Sequence, residues 1–111
     1  MDLPVLDKEA SLVRLDGDTE LWNEIRDIWM EDIQNLIAAV RTALEAQSAD
    51  GLRRAAHAIK GASANVGAVR VAAVARDMEH AAPDADWDVL GTAMRDLSAE
   101  TESAREALSE R

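Results

Sequence analysis

The sequence predicts an all-α fold, an up-down antiparallel four-helix bundle with a short extra helix at its N-terminus. Three observations carry this reading. Ala, Leu, Glu and Arg, all good helix formers, are abundant, while 111 residues hold only five Gly and two Pro. Apolar residues recur in steps of three and four, and no strand-length window alternates apolar with polar. Turn signals leave room for long helices joined by short connections, which makes neighbouring helices antiparallel. A chain of this length is expected to form one domain, residues 1–111, around one modest core.

Within an N-terminal segment of residues 1–17, Asp7 to Leu15 reads as a short helix closed by Asp16-Gly17-Asp18. The first bundle helix spans about 18–47. Trp22, Ile25, Ile28, Trp29, Ile33, Leu36, Ile37, Val40 and Leu44 form its apolar stripe, with Asp18 as N-cap. So long a helix invites a bend or break near Met30 to Asp32. Ser48 is the next cap, and Asp50 suits the positive end of a helix over 49–65. Gly67 can take the left-handed conformation that ends helices at little cost. A helix over about 68–81 follows, with Val71, Val74, Ala75 and Met78 on one face. Pro83-Asp84 interrupts, and the last helix, about 85–109, carries Trp87, Leu90, Met94, Leu97, Thr101, Ala104 and Leu108 in one stripe. Trp and Met at helical spacing read as core, not as a cofactor box.

Composition narrows the function. Cysteine is absent, which excludes a disulfide scaffold and thiol-based chemistry. No apolar run approaches the roughly 18 residues of a membrane span, and no basic-then-apolar leader opens the chain. A soluble, cytoplasmic protein is expected. A net charge of −10 argues against nucleic acid as a partner. The charge is unevenly placed, however. From Gly51 to Arg76 there is no Asp or Glu, but Arg53, Arg54, Lys60, Arg70 and Arg76 all fall there. That island is +5 on a remainder of −15. It points to an anionic ligand or an acidic partner meeting one surface.

The island contains His57. On a helical wheel Leu52, Ala55, Ala56, Ile59, Ala62 and Ser63 form the core face of the 49–65 helix, continued by Val66. His57 and Gly61 point roughly 160° from its centre and are expected to be exposed. Arg53, Arg54, Lys60 and Ala64 flank them. Gly61, four residues on, clears space beside the imidazole, although Gly inside a helix costs about 1 kcal/mol relative to Ala. Lys60 at i+3 and Arg53 at i−4 can both reach a group attached to the ring. Imidazole, with an ordinary pKa of about 6.5, is a nucleophile at pH 7, and the cations would stabilise a phosphoryl group. A metal site has little support. The chain has two histidines and no His-x₃-His pair, and the cations around His57 would repel a metal ion.

The run Leu52-Arg53-Arg54-Ala55-Ala56-His57-Ala58-Ile59-Lys60-Gly61-Ala62-Ser63-Ala64-Asn65-Val66-Gly67-Ala68 resembles the phosphorylation-site signature of histidine phosphotransfer (HPt) domains. Its core is His-x-x-Lys-Gly, followed six residues later by Gly-Ala. Met78-Glu79 is similar to the family's Leu-Glu ending of the next helix, while Val71 and Val74 stand where bulkier leucines are usual. The resemblance implies a four-helix bundle whose exposed histidine carries phosphate between the aspartates of two receiver domains, or from a histidine kinase to a receiver. It implies that His57 is the phosphoacceptor, through Nε2, and that Lys60 steadies the phosphoryl group, with Arg53 beside it. Gly61 would let the receiver approach, and Glu79 would hydrogen-bond Nδ1 and orient the ring. Arg54, Ala58, Ala64 and Arg70 would belong to the docking surface. Such a module is a phosphocarrier, not an enzyme in the strict sense. It needs no cofactor, since the receiver brings the Mg²⁺ and the acceptor aspartate. A monomer is expected, and an opening methionine suits a free-standing shuttle. The alternative is a helical adaptor that binds an acidic partner through its basic face without being phosphorylated.

Overall fold

The computed structural model describes residues 3–109, so the ends of the expected 1–111 domain lie outside the described residues. It is built from α1 (Lys8–Arg14), α2 (Thr19–Glu45), α3 (Ala49–Val66), α4 (Val69–Ala81) and α5 (Trp87–Ser109), with a 3₁₀ turn over Ala82–Asp84. Among the described residues there is no strand. The four long helices make the bundle, and α1 packs across α2 and α3.

Local chemistry sets the helix boundaries. Each N-terminal end leaves backbone N–H groups unpaired, and a capping side chain is worth about 1 kcal/mol. Asp7 accepts from the Ala10 N–H, Asp18 from Leu21, Ser48 from Gly51 and Asp86 from Val89. The start of α4 has no side-chain cap. α2 runs without a break through Met30 to Asp32. At 1.5 Å per residue its 27 residues span about 40 Å, the long axis of the molecule. It ends at Glu45, two residues early, where Gln47 turns left-handed (φ 50°) and Ser48 N–H donates to Ala43 O.

Trp22, Trp29, Ile33, Ile37, Val40 and Ala43 form the buried face of α2. They meet Leu52, Ala56 and Ile59 of α3, Val71, Ala75 and Met78 of α4, and Leu90, Leu97 and Leu108 of α5. One member of the expected stripe belongs elsewhere. Ile28 is 57% exposed, because the stripe is narrower than the sequence pattern and Ile28 lies past its edge. Leu36, Leu44, Val74 and Trp87 are partly buried.

The C-terminal end of α3 is held most tightly. A helix leaves its last four carbonyls without intrahelical partners, and here all four are paired. Ser63 O accepts from Ala68 N–H (2.9 Å) and Ala64 O from Gly67 N–H (3.2 Å), the paired bonds of a Schellman ending. Asn65 O accepts from the Ser11 hydroxyl of α1, and Val66 O from the buried Trp22 Nε1–H at 3.2 Å. One turn earlier, Trp29 Nε1–H donates to Ser63 Oγ at 3.0 Å. Next along the chain, Gly67 O accepts from Asp7 N–H at 2.8 Å, tying down the segment that leads into α1. Arg70 Nε adds a bond to Leu3 O at 2.7 Å.

Gly67 is required twice over. Its φ of 90° is a conformation that L side chains rarely adopt, and a Cβ would lie 2.5 Å from Asp7 O. Gly67→Ala is therefore expected to cost about 2 kcal/mol or more in a urea melt, with residues 3–7 losing amide protection first. A variant as stable as wild type would show that the tie is dispensable.

Candidate functional site

His57 and Lys60 leave α3 on the side that faces α4, three residues apart and therefore neighbours on the helix surface. Glu79, in the last turn of α4, reaches back between them. Its Oε2 lies 2.7 Å from His57 Nδ1 and its Oε1 2.7 Å from Lys60 Nζ. One carboxylate thus holds two groups, one oxygen each. The His57 side chain is 64% exposed while that of Glu79 is 14% exposed, so the bridge sits under the ring and the rest of the imidazole faces solvent.

The electrostatics follow from this bridge. The hydrogen bond from Lys60, reinforced by that from His57, holds the Glu79 carboxyl below its ordinary value against a smaller opposing effect of burial. Glu79 is then a carboxylate and can only accept, so neutral His57 carries its hydrogen on Nδ1. That leaves the lone pair on Nε2, in a side chain that is 64% exposed. In this state the site can make a nucleophilic attack through Nε2 without first losing a proton.

Gly61 is exposed, and a Cβ built on it meets nothing within 4 Å. Nothing inside the chain requires glycine there. Ala58 is exposed beside it and Ala64 half-exposed one turn on, which gives a surface of small side chains around His57. The cations are arranged differently from their positions in the sequence. Asp50 holds Arg53 at 3.1 Å and Arg54 at 2.6 Å, an exposed cluster whose cations hold the Asp50 carboxyl below its ordinary value. Arg70 is turned to Leu3 O and, at 3.9 Å, to Glu100. Lys60 is the cation in contact with the His57–Glu79 pair, and Arg76 is exposed with a 3.6 Å approach to its neighbour Asp77. The sequence reading missed Ile28. Exposed, it lines a groove of about 250 Å³ between α2 and α3 with Ile25, Trp29, Leu36 and Ala62. Among the described residues no group of three or more His, Asp or Glu is placed to hold a metal ion, and no helix is long and apolar enough to cross a membrane.

The family pattern of the Hpt domain matches residues 24–109, most of the chain. The chain belongs to the Hpt domain family. Its fold is also that of a solved structure, the histidine-containing phosphotransfer protein B (HptB) from Pseudomonas aeruginosa PAO1. The two superpose with a TM-score of 0.87 over 96% of this chain and 93% of that one, at 23% sequence identity. No curated protein sequence is similar enough to count as a match. Membership in the Hpt family supports a histidine phosphotransfer role in a phosphorelay, and the proteins of that family are phosphocarriers.

Two predictions follow from the geometry. Gly61→Ala fills open space and improves helix propensity, so it should raise stability by roughly 0.5–1 kcal/mol in denaturant melts. A destabilised Gly61→Ala would mean that some contact needs the glycine. The second concerns pH. Because the folded-state pKa of Glu79 is lowered, its contribution to stability is present above the reference value of 4.5 and is lost as pH falls through the folded value. The Tm advantage of wild type over Glu79→Gln should therefore shrink as pH is taken below 4.5, and a gap independent of pH would contradict the bridge.

Proposed function

We propose that this protein is a phosphorelay intermediate in which His57 accepts a phosphoryl group and exchanges it with the aspartate of a response-regulator receiver domain, or receives it from a histidine kinase. The observation that carries the reading is one side chain's setting. His57 is exposed, held at Nδ1 by Glu79, and stands next to a glycine that leaves the approach to Nε2 open.

The transfer balances without an added base. The Nε2 lone pair attacks the phosphorus of a receiver's aspartyl phosphate. The N–P bond forms as the P–O bond breaks, and the aspartate leaves as a carboxylate. The Nδ1 hydrogen stays in place, and the positive charge that develops on the ring is met by Glu79. The reverse sequence returns the phosphoryl group to a second receiver. Lys60 is within reach of the new phosphoryl oxygens once it leaves Glu79 Oε1. Arg53 can follow from the other side, because an exposed pair such as Arg53–Asp50 is worth little and opens readily.

Ala58, Gly61 and Ala64 form the low surface over which the receiver settles, and the groove at Ile28 and Leu36 supplies apolar contact on one flank. Arg54 contributes positive charge at the near end of α3 and Arg70 at the start of α4. The module works in the cytoplasm as a monomer, without a cofactor of its own, and relies on the partner for the catalytic metal.

Incubation with a panel of phosphorylated receiver domains tests this. Wild type should gain acid-labile, base-stable phosphate, and His57→Gln should gain none. Lys60→Ala should keep its helicity yet transfer on the order of tenfold more slowly. Labelling of His57→Gln at the wild-type level would remove the site assignment.

A further inference from the structure

A second groove opens on the other side of Lys60. It is about 310 Å³ in volume and lies between α1, α3 and α4. Its floor is made of small apolar groups, among them Ala10, Ala64, Ala72 and Ala73, and Arg14, Lys60 and Arg76 stand around it. The acidic residue in its lining is Asp7, whose carboxylate is taken up by the Ala10 N–H at the start of α1. Arg14 makes no ion pair among the described residues. Lys60 is bound to Glu79 and Arg76 approaches Asp77 at 3.6 Å, so Arg14 is the cation of the three with no acidic partner among the described residues, on a chain whose net charge is −10.

We propose that this groove selects the partner, taking an acidic segment of the receiver with an aliphatic side chain on the alanine floor and carboxylates between Arg14 and Arg76. The inference rests on the phosphorelay reading above, and three features of the groove support it. Lys60 belongs to both the groove and the His57–Glu79 bridge, so a receiver aligned with His57 passes over this edge. On a chain of net charge −10, Arg14, Arg76 and Lys60 gathered around one groove suit an acidic visitor and favour its encounter on this side. The outer wall is also preformed. Ser11 is bonded to Asn65 O and Asp7 N–H to Gly67 O, so the α1 side of the groove needs no ordering when a partner binds.

The origin of the wall points to selection as its role. The family pattern begins at residue 24, whereas Leu3, Asp7, Ala10, Ser11 and Arg14 all precede it. The phosphoacceptor side thus lies within the residues that the family pattern matches. The opposite wall comes from residues ahead of the matched range. A contact that discriminates among receivers using the same chemistry belongs on such a wall, because it can change without disturbing His57, Lys60 or Glu79.

The test uses the full chain and the phosphorylated receiver domain that transfers fastest to wild type. The double variant Arg14→Glu/Arg76→Glu should raise the KM for that receiver by about tenfold or more, with kcat within about threefold, and should flatten the salt dependence of kcat/KM. Arg14→Gln/Arg76→Gln should give a smaller KM increase of the same sign. Far-UV circular dichroism establishes that both variants are folded, which their exposed positions favour. Labelling by phosphoramidate, a small phosphodonor with no docking surface, separates the two levels of inference. If wild type takes label from neither donor, the phosphorelay reading fails. If wild type takes label from both and the Glu variant keeps its KM within about twofold, the groove is not a selector and the proposal is overturned.

Discussion

The C-terminal end of α3 is the point on which the rest of this molecule depends. Four carbonyls that a helix cannot pair for itself are satisfied by four sources: two backbone amides beyond the helix, a serine hydroxyl from α1 and a tryptophan N–H from α2. Leaving any of them unpaired in a buried setting costs about 1–3 kcal/mol, so these partners act together to fix where α3 stops and how it is aimed. That aim determines the direction of His57, about two and a half turns back, and brings α4 alongside so that Glu79 falls between His57 and Lys60.

The two glycines of the His57 stretch illustrate opposite constraints. Gly67 is crowded, left-handed and required by the fold. Gly61 is helical with open space around it, and the fold gains nothing from it. In the phosphorelay proposed above, a glycine that lowers stability without an internal reason serves the partner that approaches the exposed imidazole.

Much of this was legible from the residues, because the relevant signals are local. Asp18, Ser48 and Gly67 mark helix ends through bonds to backbone three to five residues away. The helical wheel separates Ile59 and Ala56 from His57 and Gly61 by geometry alone. Information carried by distant pairs was not legible. Ser11 and Asn65 are 54 positions apart, and neither residue type announces the bond. Arg70 is committed to a backbone carbonyl near the N-terminus, which no charge count can show. The +5 island was counted from Gly51, and the acid that pairs with Arg53 and Arg54 is Asp50, one residue earlier. Ile28 has the right spacing for the core, but a stripe's edge is set by how closely the neighbouring helix packs. Sequence period does not encode that distance.

Trp22 lies two residues before the range that the Hpt pattern matches, and it is fully buried, its indole N–H holding the last carbonyl of α3. Lys8, further upstream, places its ammonium 4.4 Å above the same ring. The fold therefore draws on residues ahead of the matched range. A fragment cut at the start of that range would keep His57, Lys60 and Glu79 but lose the indole and hydroxyl that finish the helix carrying the first two. In modular terms, the physical unit of this domain begins with the segment ahead of α1, and a fusion or excision that respects the unit must keep it.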